Sequence, residues 1–293
     1  MAVTQNIRNA KAGWISATAA AKVLLLSILL AACASAMPPE TGEGRELTLK
    51  PFIGKLRTID VEIDGKAVPF LFDTGGGLTF IDPKYTRALG CKPRGRVTGY
   101  RMDGERIDSK RCGVTRLPFG SFALEAEAAV LDINALLPEG LPELGGVLSL
   151  QTFAGQAITL DFEANRIFFE SVPSLANRTR RMTEVPVRLT GELDGFGFAM
   201  YLEIEAGGLK LLFLLDSSNL RPTRIAPHAL DLLSANIDPG TDLLDLLLAP
   251  GLTYQTKYEV ADLIHDGALD FKFFDQFLVT MDLGSERLWL KRR

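Results

Sequence analysis

The chain has 293 residues, 23% charged and 47% hydrophobic, with a net charge of −4. That balance supports a folded core and argues against wholesale disorder, and no basic stripe interleaved with aromatics points to a nucleic-acid partner. Only two histidines, His228 and His265, are present, in unrelated contexts, so neither a Ser/His or Cys/His catalytic unit nor a metal site finds support, and no cofactor is expected.

The first 36 residues read as an export signal that stands outside the fold. Arg8, Lys11 and Lys22 precede the apolar run Val23 to Ala32, which is too short to span a bilayer comfortably. Two processing sites compete after it. Leu30-Ala31-Ala32-Cys33 resembles a bacterial lipobox, in which the cysteine becomes the lipidated first residue of the mature chain. Ala34-Ser35-Ala36 offers an ordinary signal-peptidase site instead. Either one exports the chain to the periplasm, and the lipobox adds an outer-membrane anchor on Cys33 as the sole membrane contact. Without Cys33, Cys91 and Cys112 are an even pair in an oxidising compartment, so a disulfide between them is expected. Two unrelated small core residues are the alternative.

The mature chain then alternates as half-buried strands do. Asp60 to Gly65 switches polar and apolar residues and turns, and Pro69-Phe70-Leu71-Phe72 runs on into Asp73. Thr79-Phe80-Ile81-Asp82-Pro83 leads out of that turn, and a short helix is predicted over Lys84 to Leu89. Gly145 to Phe169 reads as a buried segment, a turn and a hairpin with the polar tip Glu163-Ala164-Asn165. Ser171 to Glu184 has no periodicity and is read as the boundary between halves.

Beyond it the chain is written a second time. Tyr201 to Glu205 alternates, turns at Gly207-Gly208, and runs through Leu211 to Leu215 into Asp216. Thr223-Arg224-Ile225-Ala226-Pro227 is the matching exit, and a helix is predicted over His228 to Ser234. Asp266 to Leu290 aligns without a gap on Gly145 to Phe169. Gly146/Gly267, Leu148/Leu269, Phe153/Phe274, Thr159/Thr280, Asp161/Asp282 and Arg166/Arg287 are identical pairs. The second copy is shorter between its Asp turn and this segment, where the first has room for an extra hairpin.

Phe70-Leu71-Phe72-Asp73-Thr74-Gly75-Gly76 resembles the apolar-apolar-Asp-Thr-Gly turn of pepsin-like and retropepsin-like aspartic proteases. Gly146-Val147-Leu148-Ser149 resembles the segment which those folds pack beside that turn. The resemblance implies an all-β fold with a few short helices: two tandem acid-protease-like β-barrel lobes facing a central cleft. With the signal peptide at 1–36 set aside, it gives lobe one at 37–175 and lobe two at 176–293. It implies that Asp73 and Asp216 form a catalytic pair, supported by Thr74, Gly75, Ser217 and Ser218. A substrate-covering flap is expected from Val97 to Tyr100 and Asp103 to Ile107, with Tyr100 as its candidate aromatic or merely an exposed strand residue.

The chemistry suits those residue types. Activating water without metal or histidine needs a base and an acid at one place, and two close carboxyls supply both because they do not ionise together. The second turn departs from the pattern: Ser218 stands where glycine is expected, and Ser149 and Asp270 replace the glycine of the downstream segments. A carboxylate at Asp270, beside the pair, would be costly to bury and would disturb its titration. Three functions follow. The first is a monomeric envelope endopeptidase acting on a peptide or protein substrate. The second is a catalytically retired lipoprotein that binds an extended peptide or protein, and the third a homodimer pairing two first lobes.

Overall fold

The structure is a computed structural model and describes residues 44–237 and 240–293, without the side chains of 192 and 194. The export signal, its processing sites and Cys33 lie outside the described residues. What is described is mainly β, in three sheets with a few short helices.

An eight-stranded sheet carries the first Asp turn. Strands Arg57–Ile63 and Lys66–Phe72 pair antiparallel, as the alternation from Asp60 predicts. Lys66–Phe72 then pairs in parallel with Gly146–Leu148, which lies antiparallel to Thr79–Ile81. The seven-stranded sheet repeats this plan. Gly197–Ala206 pairs with Leu209–Leu214, which runs parallel to Gly267–Ala268, itself antiparallel to Thr223–Ile225. The repeated glycine has a packing reason. A Cβ at Gly146 would strike the Phe70 ring and the Phe80 carbonyl, and one at Gly267 would strike the Phe213 ring, so only a bare Cα fits there.

The first sheet extends further than the second. Phe122–Val130, Arg106–Phe119 and Arg94–Tyr100 complete it, whereas the second ends at Leu252–Val260 and Leu243–Ala249. The hairpin of Arg94–Tyr100 and Arg106–Phe119 is thus the extra length of the first copy. Cys91 and Cys112 form a disulfide, with Cα atoms 4.9 Å apart, that ties the base of this hairpin to the segment before it.

A six-stranded sheet joins the copies. At its centre Ala157–Asp161 pairs antiparallel with Phe277–Asp282, so that Thr159 stands opposite its own repeat Thr280, the hydroxyls 2.8 Å apart. The hairpin tips repeat as well: Asn165 and Glu286 both take positive φ, and Asp161 and Asp282 both accept turn amides. Side chains of the two copies share one apolar core, with the Phe162 and Phe274 rings 4.9 Å apart.

The stretch read as an aperiodic boundary contains a helix, Val172–Thr179. Ser171 and Ser174 form a reciprocal capping box at its start, Pro173 occupies its first turn, and Arg178 pairs with buried Glu170. None of its residues is buried. Val172, Leu175 and Ala176 share one face, but three residues are too short a stripe to stand out, and the capping marks the helix more clearly. The helix predicted from Lys84 is a 3-10 turn, Pro83–Tyr85, and that predicted from His228 is Pro227–Leu233 continued by Ser234–Asn236.

Candidate active site

Each Asp turn is held between the end of an apolar strand and the parallel segment beside it. Asp73 donates its amide to Leu148 O at 3.0 Å, and Leu269 donates to Leu214 O at 2.9 Å in the second copy. The two turns then lock together through their hydroxyl residues. Thr74 Oγ1 donates to Leu215 O at 2.6 Å and accepts from the Ser217 amide at 2.9 Å. Reciprocally, the Thr74 amide donates to Ser217 Oγ at 3.1 Å, and Ser217 Oγ donates to Phe72 O at 3.4 Å. Both residues are buried. Such a network sits where water cannot compete, so it fixes the spacing of the turns firmly.

The lock sets the two carboxyls side by side. Gly75 donates its amide to Asp73 Oδ1 at 2.9 Å, and Ser218 donates its amide to Asp216 Oδ1 at 2.8 Å. A Cβ on Gly75 would lie 2.7 Å from Asp216 Cγ, so glycine is the residue that lets the first turn approach the second carboxyl. Burial, followed by the neighbouring Asp216 charge, pushes Asp73 from 3.8 up to about 7. Burial also raises Asp216, though its hydrogen bonds to Ser218 and Asn219 oppose the rise. Two acids held this closely in a poorly solvated place keep one proton between them well above the ordinary carboxylate range.

Ser218 does not stand in the way of the turn. Its hydroxyl folds back and donates to Asp216 Oδ1 at 2.9 Å, and it lies near enough to Asp73 to hold that group's titration down. Ser149 is buried among Thr79 and Thr152 and caps the turn Leu150–Phe153. Asp270 is almost wholly buried, but its partners belong to its own lobe: it accepts hydrogen bonds from Tyr254 and Thr256, and its amide reaches Thr223 Oγ1. Burial raises its titration, and its hydroxyl partners offset part of that rise. Its carboxyl, expected to bear on the pair, is instead hydrogen-bonded within this network of its own.

Tyr100 ends one arm of the hairpin and is 63% exposed. Met102, two residues on, reaches the second lobe, packing on the cluster of Ala199, Tyr201, Leu214 and Ala268, and lower on the hairpin the Arg111 guanidinium lies 3.1 Å over the Phe196 ring. Asn219 also acts without having been singled out from sequence. Buried beside Asp216, it donates Nδ2 to Leu269 O at 3.1 Å and accepts the Phe271 amide at 2.9 Å. Its place immediately after Asp216-Ser217-Ser218 was the available signal. Among the described residues, no group of three or more His, Cys, Asp or Glu side chains is placed to hold a metal ion.

Residues 59–149 match the aspartyl protease family model. No curated protein sequence matches the chain. Solved structures share its fold at low identity. An aspartic proteinase from Irpex lacteus superposes with a TM-score of 0.53 at 14% identity, covering 85% of this chain and 97% of its own. Conglutin gamma, a basic 7S globulin from lupine seeds, gives 0.52 at 11%, covering 85% and 94%. Basic 7S globulin from soybean gives 0.51 at 10%, covering 84% and 94%. By the family match and this fold, the chain is related to the aspartic protease superfamily.

Proposed function

We propose that the protein is an aspartic-type endopeptidase of the cell envelope, with Asp73 and Asp216 as its catalytic pair. One observation carries the reading: the reciprocal Thr74–Ser217 lock brings two carboxyls together where burial raises both. The fold alone does not decide activity, since it accompanies globulins as well as a proteinase. The site supports hydrolysis because a singly protonated pair offers a base and an acid in one place. The ionised carboxyl takes a proton from water as its oxygen attacks the peptide carbonyl. The protonated carboxyl gives its proton to the carbonyl oxygen, and collapse of the tetrahedral adduct returns a proton to the departing amine nitrogen.

In this proposal the substrate is an extended peptide or protein held by a monomer whose lobes divide near 175/176. Export rests on the basic and apolar segments of the first 36 residues, and outer-membrane anchoring on lipidation of Cys33. The test incubates the purified mature protein with a peptide library from acid to neutral pH. Cleavage is expected to weaken above about pH 7, where Asp73 gives up its proton, and to be lost in both Asp73→Asn and Asp216→Asn. Cleavage that survives Asp216→Asn would overturn the in-chain pair. No cleavage by the wild type would overturn the enzyme reading.

A further inference from the structure

The corresponding outer stripes of the two central sheets are covered differently. In the first lobe Leu71, Val147 and Phe80 lie side by side across the strands and are covered by residues of the same lobe, among them Phe52, Leu56, Ile133 and Leu137. In the second lobe Leu214, Ala268 and Arg224 take the same places, with Tyr201 beside Leu214. There part of the cover comes from the other lobe: Met102, at the turn of the first-lobe hairpin, joins own-lobe Leu212 on the cluster of Tyr201, Leu214 and Ala268, while the His265 ring lies 5.1 Å from that of Tyr201.

Other contacts converge on the same turn. The Ile264 amide donates to Met102 O at 3.0 Å, so the hairpin tip is hydrogen-bonded to the loop leading into Gly267–Ala268. Arg224 Nη1 approaches Met102 Sδ at 3.9 Å. Lower on the hairpin, Val97 packs with Leu78, just beyond the first Asp turn, while Leu214 lies two residues before Asp216. The hairpin therefore bridges the approaches to both carboxyls, and its tip is fastened to the far side.

We propose that Met102 is a latch built into the chain: its thioether side chain occupies the apolar stripe of the second lobe and holds the hairpin closed until a peptide enters. Methionine suits this seat. It is unbranched and adapts to a shallow apolar surface, and it releases more readily than a side chain locked in a deep pocket. Own-lobe Leu212 and His265 cover part of the stripe, and Met102 adds to them. Lifting the hairpin removes that share of the cover from Leu214 and Ala268, and the resulting exposure favours return to the closed state.

Amide hydrogen exchange on the full mature chain reads the latch directly. In wild type the Ile264 amide is expected to be protected. In Met102→Ala it should exchange on the order of tenfold faster, the equilibrium equivalent of losing one half-buried apolar contact. Met102→Leu refills the stripe and should restore exchange to within about twofold of wild type. The Val279 amide, in the sheet that joins the copies, should be unchanged in both and reports any general loss of folding. Equal Ile264 exchange in wild type and Met102→Ala overturns the latch.

A second arm rests on the peptidase reading: Met102→Ala should raise kcat/KM for an unstructured polypeptide by a few-fold. Faster Ile264 exchange with no hydrolysis by any variant supports the latch and counts against the peptidase. Hydrolysis by all variants with unchanged exchange does the reverse.

Discussion

Replacing Asp73 by Asn separates the titration of the carboxyl pair from its packing. Asn keeps the shape of Asp, and its Oδ1 still accepts the Gly75 amide that bonds Asp73 at 2.9 Å, so the turn should hold. What changes is the proton. The unfolded chain releases it near 3.8 and the folded chain near 7, because burial and then Asp216 raise Asp73. Between those values the folded state binds the extra proton. Stability from this group is therefore full below the unfolded value and is lost as pH rises through the folded one. At about 1.4 kcal/mol per unit, the whole shift amounts to roughly 4 kcal/mol. Coupling within the pair, together with the solvent that still reaches Asp73, reduces this to about 2–3 kcal/mol. Asp73→Asn should accordingly stabilise the protein by about 2–3 kcal/mol near pH 8 and hardly at all near pH 3, while abolishing hydrolysis. Urea denaturation of both proteins across that range measures the difference. A variant whose stability follows the wild-type pH curve, or that loses stability near pH 8, would refute the reasoning.

Gly75→Ala places a Cβ 2.7 Å from Asp216 Cγ. It should displace that carboxyl and cut kcat on the order of a hundredfold, as steady-state assays would show. Thr74→Ala strips the buried donor to Leu215 O and the acceptor of the Ser217 amide. It should cost about 1–3 kcal/mol in denaturation, and Thr74→Ser should recover most of that. Opening the Cys91–Cys112 bridge, whose ends are 21 residues apart, by replacing both with Ser should cost about 3 kcal/mol, read from unfolding midpoints. Tyr254→Phe removes a hydroxyl donor from buried Asp270, whose titration burial already raises. The group should then titrate higher still, with a stability loss of about 1–3 kcal/mol that grows as pH rises through its folded value.

The duplication was legible because structure demands the same residue at the same place in each copy. Gly146 and Gly267 each face a phenylalanine ring, Asp161 and Asp282 each anchor a hairpin tip, and Thr159 and Thr280 face one another. The two Asp turns stood out for the same reason. What stayed hidden depends on contacts between distant segments or on elements without an apolar face. Nothing in Arg101-Met102-Asp103 announces that Met102 rests on the cluster of Tyr201 and Ala268, and helix Val172–Thr179 is only two turns long and buries no residue. Ser218 was read from its position alone, as a side chain intruding where glycine should be. The direction of its hydroxyl, back onto Asp216, depends on a rotamer that the sequence does not state. Asp270 was judged in the same way, and its Tyr254 and Thr256 partners come from another strand, Leu252–Val260.

The pairing of Ala157–Asp161 with Phe277–Asp282 also governs whether either copy could live alone. Cut apart, each half would present a bare edge of backbone amides and carbonyls, flanked by Ile158 and Leu160 in one fragment and by Val279 and Met281 in the other, all now buried. An open edge of that kind seeks another strand. A solitary first half would therefore associate with itself or aggregate, with Thr159 meeting Thr159 where Thr280 now stands. Fusing the copies in one polypeptide supplies the matching edge at high effective concentration and frees the two turns to diverge, so Asp73-Thr74-Gly75 and Asp216-Ser217-Ser218 are able to differ while the seam between the halves stays symmetric.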